Sequence, residues 1–184
     1  ATVAMDRAFV RIEPDAVTPN PGPEAGAAAL RVEHLSRANE FHDVSFDVRN
    51  GEILGVYGLV GAGRSEVMQC LFGLTRADSG QVSIAARDPE HAIRLGLAYL
   101  PENRQSEGVI LPFSIAANIA LANLATLSSS GVFNRARAGD LASHWISALQ
   151  IRATGPDQRA EELSGGNQQK VVLAKWLATQ PKVL

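Results

Sequence analysis

An α/β fold carrying a helical insertion is what this sequence predicts, on three observations. From Leu30 to Pro101, short apolar runs of strand length are interleaved with helical periods. A glycine-rich turn, Gly58 to Ser65, stands between one such run and a helix. From Glu102 to about Glu162 the pattern is helical, and it closes on a second glycine pair, Gly165-Gly166.

The chain opens on Ala1 to Pro14, with a short apolar run at Ala8-Phe9-Val10 and no clear period. Four of the nine prolines fall between Pro14 and Pro23, so residues 1–28 read as an extended linker or the tail of something preceding. The domain then runs over residues 29–184. Leu30 to Leu35 and Val44 to Val48 alternate apolar with polar and read as half-buried strands. Asn50-Gly51 turns the second into an apolar run, Ile53 to Tyr57, expected as a buried strand. A helix follows the glycine turn and ends near Gly73. Asp78-Ser79-Gly80 is a turn before a strand at Gln81 to Ala85, and Asp88 to Leu95 a short helix. Leu97 to Leu100 is expected as another buried strand, stopped by Pro101. Helices are then expected at Ile115 to Leu124 and Arg137 to Leu149, the second placing Leu141, Trp145 and Leu149 on one face as core. Gly155-Pro156-Asp157 is a loop. The last helix runs from Gly165 to about Thr179 and is expected to bury Leu173, Trp176 and Leu177, with Lys182-Val183-Leu184 beginning a strand.

Composition narrows the function classes. The chain has 184 residues, 46% hydrophobic and 20% charged, with net charge -2 and a pI of about 6.1. That balance argues against a chain built to hold nucleic acid. No apolar run reaches the roughly 18 residues of a membrane span. The single cysteine, Cys70, is expected as a small buried hydrophobe in a reducing compartment. His34, His42, His91 and His144 have neither metal-ligand nor triad spacing and are expected at the surface or its boundary.

The glycine turn carries the first chemistry. Gly58-Leu59-Val60-Gly61-Ala62-Gly63-Arg64-Ser65 has the phosphate-cradling spacing G-x-x-x-x-G-K-[ST], with Arg64 in the lysine position. Glycines let backbone N–H groups approach phosphate oxygens with no Cβ in the way. The following helix aims its positive end at the same anion. Ser65 would give a hydroxyl to magnesium, which prefers oxygen ligands. Arg64 keeps the charge but not the compact shape of lysine, and Glu66 would repel a polyphosphate. The loop reads as built to bind nucleotide and poorly built to hydrolyse it, although tight packing alone also produces such turns.

The second motif is Leu163-Ser164-Gly165-Gly166-Asn167-Gln168-Gln169-Lys170. It is another helix start, with Ser164 a good cap and no acid following at once. Together with the glycine turn and the helical stretch between them, it resembles the signature motif of the ABC transporter ATPase family. The runs G-E-I-L-G-V-Y-G-L-V-G-A-G-R-S-E, A-Y-L-P-E-N-R and L-S-G-G-N-Q-Q-K resemble the second, C-terminal cassette of the fused ATPases of simple-sugar importers. In that cassette Arg typically replaces the P-loop lysine. The similarity covers Leu30 to Leu184.

The resemblance implies a P-loop core, with a β-subdomain and a RecA-like sheet, plus a helical signature subdomain. It implies ATP and Mg2+ at Gly58 to Glu66, with Ser65 on the metal. Leu163 to Gln168 would face ATP held by a second cassette, with Ser164, Gly165 and Gly166 on its γ-phosphate. Glu102 would take the position of the Gln in the loop that links nucleotide state to the membrane subunit. As a bland alternative, Glu102 is a solvated acid in a turn. Implied partners are another cassette, the transmembrane permease and, indirectly, a periplasmic sugar-binding protein. The implied location is cytoplasmic, peripheral on the inner face of the membrane. Lys182-Val183-Leu184 matches residues just before the family's Walker B strand. No catalytic residue is therefore expected within this sequence, which is expected not to hydrolyse ATP alone. The adenine-stacking aromatic of many cassettes has no counterpart at Leu35 to Arg37; Phe41, the nearest, reads as core. Two other functions stay open: a non-hydrolytic nucleotide-binding or regulatory module, and a non-transport ATPase of the same superfamily. The second is disfavoured because the insertion lacks sustained heptads.

Overall fold

In the computed structural model, residues 11–12, 28–103 and 107–184 are described. The proline-rich segment read as a linker and the run at Ala8-Phe9-Val10 lie outside them. The chain divides into two compact units, Ala1–Leu95 with Val183 and Gly96–Lys182 with Leu184.

The first unit holds a three-stranded antiparallel sheet and a separate two-stranded pair. Its strands in chain order are β1 (Arg11–Ile12), β2 (Ala28–Arg37), β3 (Phe41–Arg49), β4 (Val56–Tyr57) and β5 (Ser79–Val82), with helices α1 (Arg64–Leu71) and α2 (Pro89–Leu95). In the three-stranded sheet β2 is central, paired with β3 on one side and β5 on the other; Val32 faces Phe46 and Val82. β1 and β4 form the separate pair. The alternation at Leu30 and Val32 puts both on the core face. Leu35 is one residue out of step, and a bulge at His34, with φ +52°, returns it to that face. Leu30, Val32, Leu35, Phe41 and Val44 then close a core with Val67 and Leu71 of α1. Phe41 is thus core, as its sequence context indicates.

Two expected buried strands differ. Of Ile53 to Tyr57 only β4 is a strand, and its partner among the described residues is the two-residue β1. Ile53 is 79% exposed. An apolar run is buried only where elements cover both its faces, and here Ile53 to Tyr57 alternate between exposed and half-buried. At Leu97 to Leu100 no strand extends: Leu97 is buried, Leu100 is exposed, and the local tie is the Lys182 N–H donating to the Gly96 carbonyl at 2.7 Å. Cys70 is half-buried, and burial raises its thiol pKa above the usual value.

The second unit is helical, with one small hairpin. It contains α3 (Ile115–Ala120), α4 (Leu124–Leu127), β6 (Ser128–Ser129), β7 (Val132–Phe133), α5 (Arg135–Ala148), a 3-10 turn (Ala160–Glu162) and α6 (Gly165–Leu177). The Ser114 hydroxyl caps α3 by accepting from the Ala117 N–H at 3.1 Å, and Asn134 caps α5 through Arg137. α3 stops at Ala120 instead of continuing to Leu124. The unexpected hairpin of β6 and β7 turns through Ser130 and Gly131, both at positive φ. Ile115, Ile119, Ala138, Ala142, Val171 and Val172 are buried. The stripe of Leu141, Trp145 and Leu149 is only half-buried; α5 turns its small residues, Ala138 and Ala142, fully inward. On α6, Leu173 and Leu177 are half-buried and Trp176 is buried, but the inner face is Val171, Val172 and Lys175. No helix among the described residues is long and apolar enough to cross a membrane.

Candidate functional site

The glycine turn lies in the first unit. Ala62 N–H donates to the Leu59 carbonyl at 3.1 Å, tightening the loop, while Leu59 and Val60 project outward, Val60 fully exposed. Gly61 and Gly63 both hold positive φ, near +81°. Gly63 is the N-cap of α1, and a glycine caps nothing with a side chain. The first N–H groups of α1, those of Arg64, Ser65 and Glu66, therefore lack both an intrahelical carbonyl and a capping oxygen. A Cβ on Gly63 would stand 2.5 Å from the Glu40 carbonyl oxygen, so the loop packs directly on the β2–β3 turn. That turn is fixed in its own right: Arg37 and Glu40 form an ion pair, and Asp78 accepts from the Ala38 N–H at 2.6 Å. Arg64 folds back toward Gly58, its Cδ 3.8 Å from where a Gly58 Cβ would lie. Ser65 and Glu66 are half-buried in the first helical turn. The loop thus carries backbone donors and the Arg64 guanidinium, and the first turn of α1 adds the Ser65 hydroxyl and the Glu66 carboxylate.

The second motif lies in the other unit, at the start of α6. Leu163 is buried as an anchor, and Gly166 is open, with nothing within 4 Å of a built Cβ. Ser164 sits at the N-cap position, but its hydroxyl makes no capping bond to the backbone. It accepts instead from the Asn167 amide at 2.9 Å, while Asn167 Oδ1 accepts from the Arg152 N–H at 3.0 Å. The expected cap is therefore replaced by a side-chain bridge, which leaves the helix-start N–H groups free of a capping hydroxyl. Gln168 is buried beneath the motif, its amide donating to the Ala160 and Leu163 carbonyls at 3.0 and 3.2 Å. Lys170 donates to the Gln150 carbonyl at 3.0 Å. Glu102 stands exposed beside buried Pro101, in the same unit.

Of the histidines, His34, His42 and His144 are exposed and His91 is half-buried. His34 pairs with Asp43 at 2.7 Å. Among the described residues no group of His, Cys, Asp or Glu is arranged to hold a metal.

Among the described residues, sequence reasoning passed over the buried Asn118, Asn123 and Lys175, and it expected Gln168 to face nucleotide where it is in fact buried. Asn118, 1% exposed, accepts from the Ile110 N–H at 2.7 Å and donates to the Ile110 carbonyl at 3.0 Å. Asn123 donates to the Ile119 and Lys175 carbonyls. Gln168 is described above. Lys175, 8% exposed, donates from Nζ to the Gly108 carbonyl at 2.6 Å and lies 5.1 Å from the Trp176 ring centroid. Desolvation lowers its pKa from 10.5.

Residues 41–184 match the family model described as ABC transporter. The chain is 46% identical over 164 residues to the ribose import ATP-binding protein of Halalkalibacterium halodurans, covering 86% of this chain and 33% of that protein. It is 48% identical to the protein of that name from Rhizobium meliloti, over 86% and 33% of the two. The corresponding Streptomyces avermitilis protein is 43% identical over 97% of this chain and 36% of its own length. The chain spans about a third of the length of these relatives. Among solved structures, an ATP-binding cassette of an ABC transporter in its ADP conformation superposes with a TM-score of 0.65 at 20% identity, over 85% of this chain and 66% of the other. A dimeric post-hydrolysis cassette bound to ADP and phosphate gives 0.62 at 18%, over 83% and 70%. At those identities the structures speak for the fold, which is that of an ABC ATPase. With the family match over residues 41–184, the chain belongs to the ABC transporter ATP-binding family.

Proposed function

We propose that this chain is the second cassette of an ATP-binding subunit that powers uptake of a simple sugar, within residues 29–184. The relatives named for ribose import support the sugar class. In this reading the loop Gly58–Glu66 binds the phosphates of ATP, and Leu163–Gln168 presents α6 to nucleotide held by another cassette. Glu102 marks the loop that meets the permease, and the helical stretch 102–162 helps form the permease's docking groove. The subunit then sits peripherally on the inner membrane face, and a sugar-binding protein acts on it indirectly.

The observation that carries the reading is the uncapped start of α1, with Arg64 folded toward Gly58 where the family motif has lysine. Free N–H groups and a permanent cation suit a polyphosphate. The guanidinium is too broad to reproduce lysine's placement between two phosphates, so this site binds more than it turns over. Ser65, in the first turn of α1, would give magnesium one oxygen ligand, and the ion would neutralise phosphate charge.

Calorimetric titration of magnesium-ATP into the chain tests this directly. Arg64→Ala should weaken binding by about tenfold. Equal affinity in the two proteins would remove Arg64 from the site. In the full-length subunit, Ser164→Arg should abolish most ATP hydrolysis and Arg64→Ala should cost much less; the reverse order would refute the asymmetry.

A further inference from the structure

Lys175 is an expensive residue to bury. Among the described residues its ammonium forms no ion pair with a carboxylate, and its one hydrogen bond is to a main-chain carbonyl, that of Gly108. An ammonium so placed costs more than an apolar side chain of similar volume, so stability alone does not explain it.

The location of its acceptor does. Gly108 begins a segment tied to its surroundings at nearly every residue. Asn118 of α3 holds both main-chain groups of Ile110. The Leu111 carbonyl accepts from the Glu161 N–H at 3.0 Å, and the Phe113 carbonyl from the Ala160 N–H at 2.9 Å. Ala160 and Glu161 belong to the 3-10 turn that delivers the chain into Leu163 and Ser164, and Gln168 grips the Ala160 carbonyl from below. The segment 108–113 is thus joined to α6 twice: at the motif's entry through backbone bonds, and nearly three turns along the helix through Lys175. Asn123 holds the Lys175 carbonyl at 3.1 Å and keeps that part of α6 in place.

We infer that Lys175 is a positioning residue: it binds segment 108–113 to α6, so that a displacement of segment 108–113 moves the Ser164-Gly165-Gly166 start as one piece. The inference rests on the reading of that start as a nucleotide-facing motif. Its substrate is the loop itself, and Lys175 touches no reacting atom.

Hydrogen exchange on the full chain tests it without any assay of activity. Lys175→Met should raise exchange at the amides of segment 108–113 and of 160–168 together, by about tenfold, and leave α5 unchanged. Lys175→Arg, which keeps a donor, should restore both, and Lys170→Met on the same helix should change neither. Faster exchange confined to residues near Gly108, or spread over the whole unit, overturns the inference. In the assembled transporter, Lys175→Met should lower kcat for ATP by about fivefold with KM unchanged; an unaltered kcat also overturns it. A wild-type transporter that hydrolyses no ATP would defeat the sugar-import reading instead, while the exchange result still decides the role of Lys175.

Discussion

The Asn167 amide donates to the Ser164 hydroxyl at 2.9 Å, so two side chains of one helix start occupy each other. The pairing keeps the serine from capping its own helix and leaves α6 with an open, uncharged N-terminus. A helix end in that state favours an incoming anion.

Asn167→Asp tests the arrangement. The carboxylate still accepts from the Arg152 N–H and gains from the helix dipole, so thermal stability should hold or rise, by about 0.5 kcal/mol. Polyphosphate facing the same helix start would be repelled. Nucleotide-driven pairing of full-length subunits should therefore weaken, read by sedimentation with ATP, while the melting temperature does not fall.

The two loop glycines separate strain from collision. Both Gly61 and Gly63 hold left-handed backbone, but a Cβ at Gly61 meets nothing within 4 Å, and one at Gly63 meets the Glu40 carbonyl at 2.5 Å. Gly61→Ala should cost about 1 kcal/mol, the backbone term alone. Gly63→Ala should cost about 3 kcal/mol, because the β2–β3 turn must also shift. Urea midpoints of the two variants give the comparison, and equal losses would mean that the turn yields freely.

Lys175 should leave a mark on stability at alkaline pH. Its pKa in the folded chain lies below 10.5 through burial. Below the folded value the amine is charged in both states, and the folded state bears the desolvation cost. Between that value and 10.5 the unfolded chain binds more protons, so folding gains as pH rises. The melting temperature of the wild type relative to Lys175→Met should accordingly increase as the pH is raised toward 10.5. A difference independent of pH would place the amine in contact with water.

How far the sequence revealed all this depended on what kind of signal each element carries. The strand pattern at Leu30 and Val32 is local, and it appears where the sequence indicates; the caps at Ser114 and Asn134 are equally local, but the periodic reading did not single them out. Ile53 to Tyr57 has the composition of a buried strand, yet cover is supplied by other elements and cannot be read within the run. The bulge at His34 is likewise a matter of register with Val44 and Asp43. Both glycine motifs were legible because spacing alone defines them. The buried anchors were not, since an asparagine or lysine has the same letter whether solvated or enclosed. Lys175 did leave a trace: it shares a helix face with Val171 and Val172, both buried, and lies between Ala174 and Trp176.

The bonds from Leu111 to Glu161 and from Phe113 to Ala160 are made by main chain on both sides. Side-chain replacement leaves them standing, so an alanine scan would pass over this junction in silence. It is also free to persist while the residues around it drift. Only a change that removes a donor, such as proline at Ala160 or Glu161, would expose how much of the second unit's order depends on it.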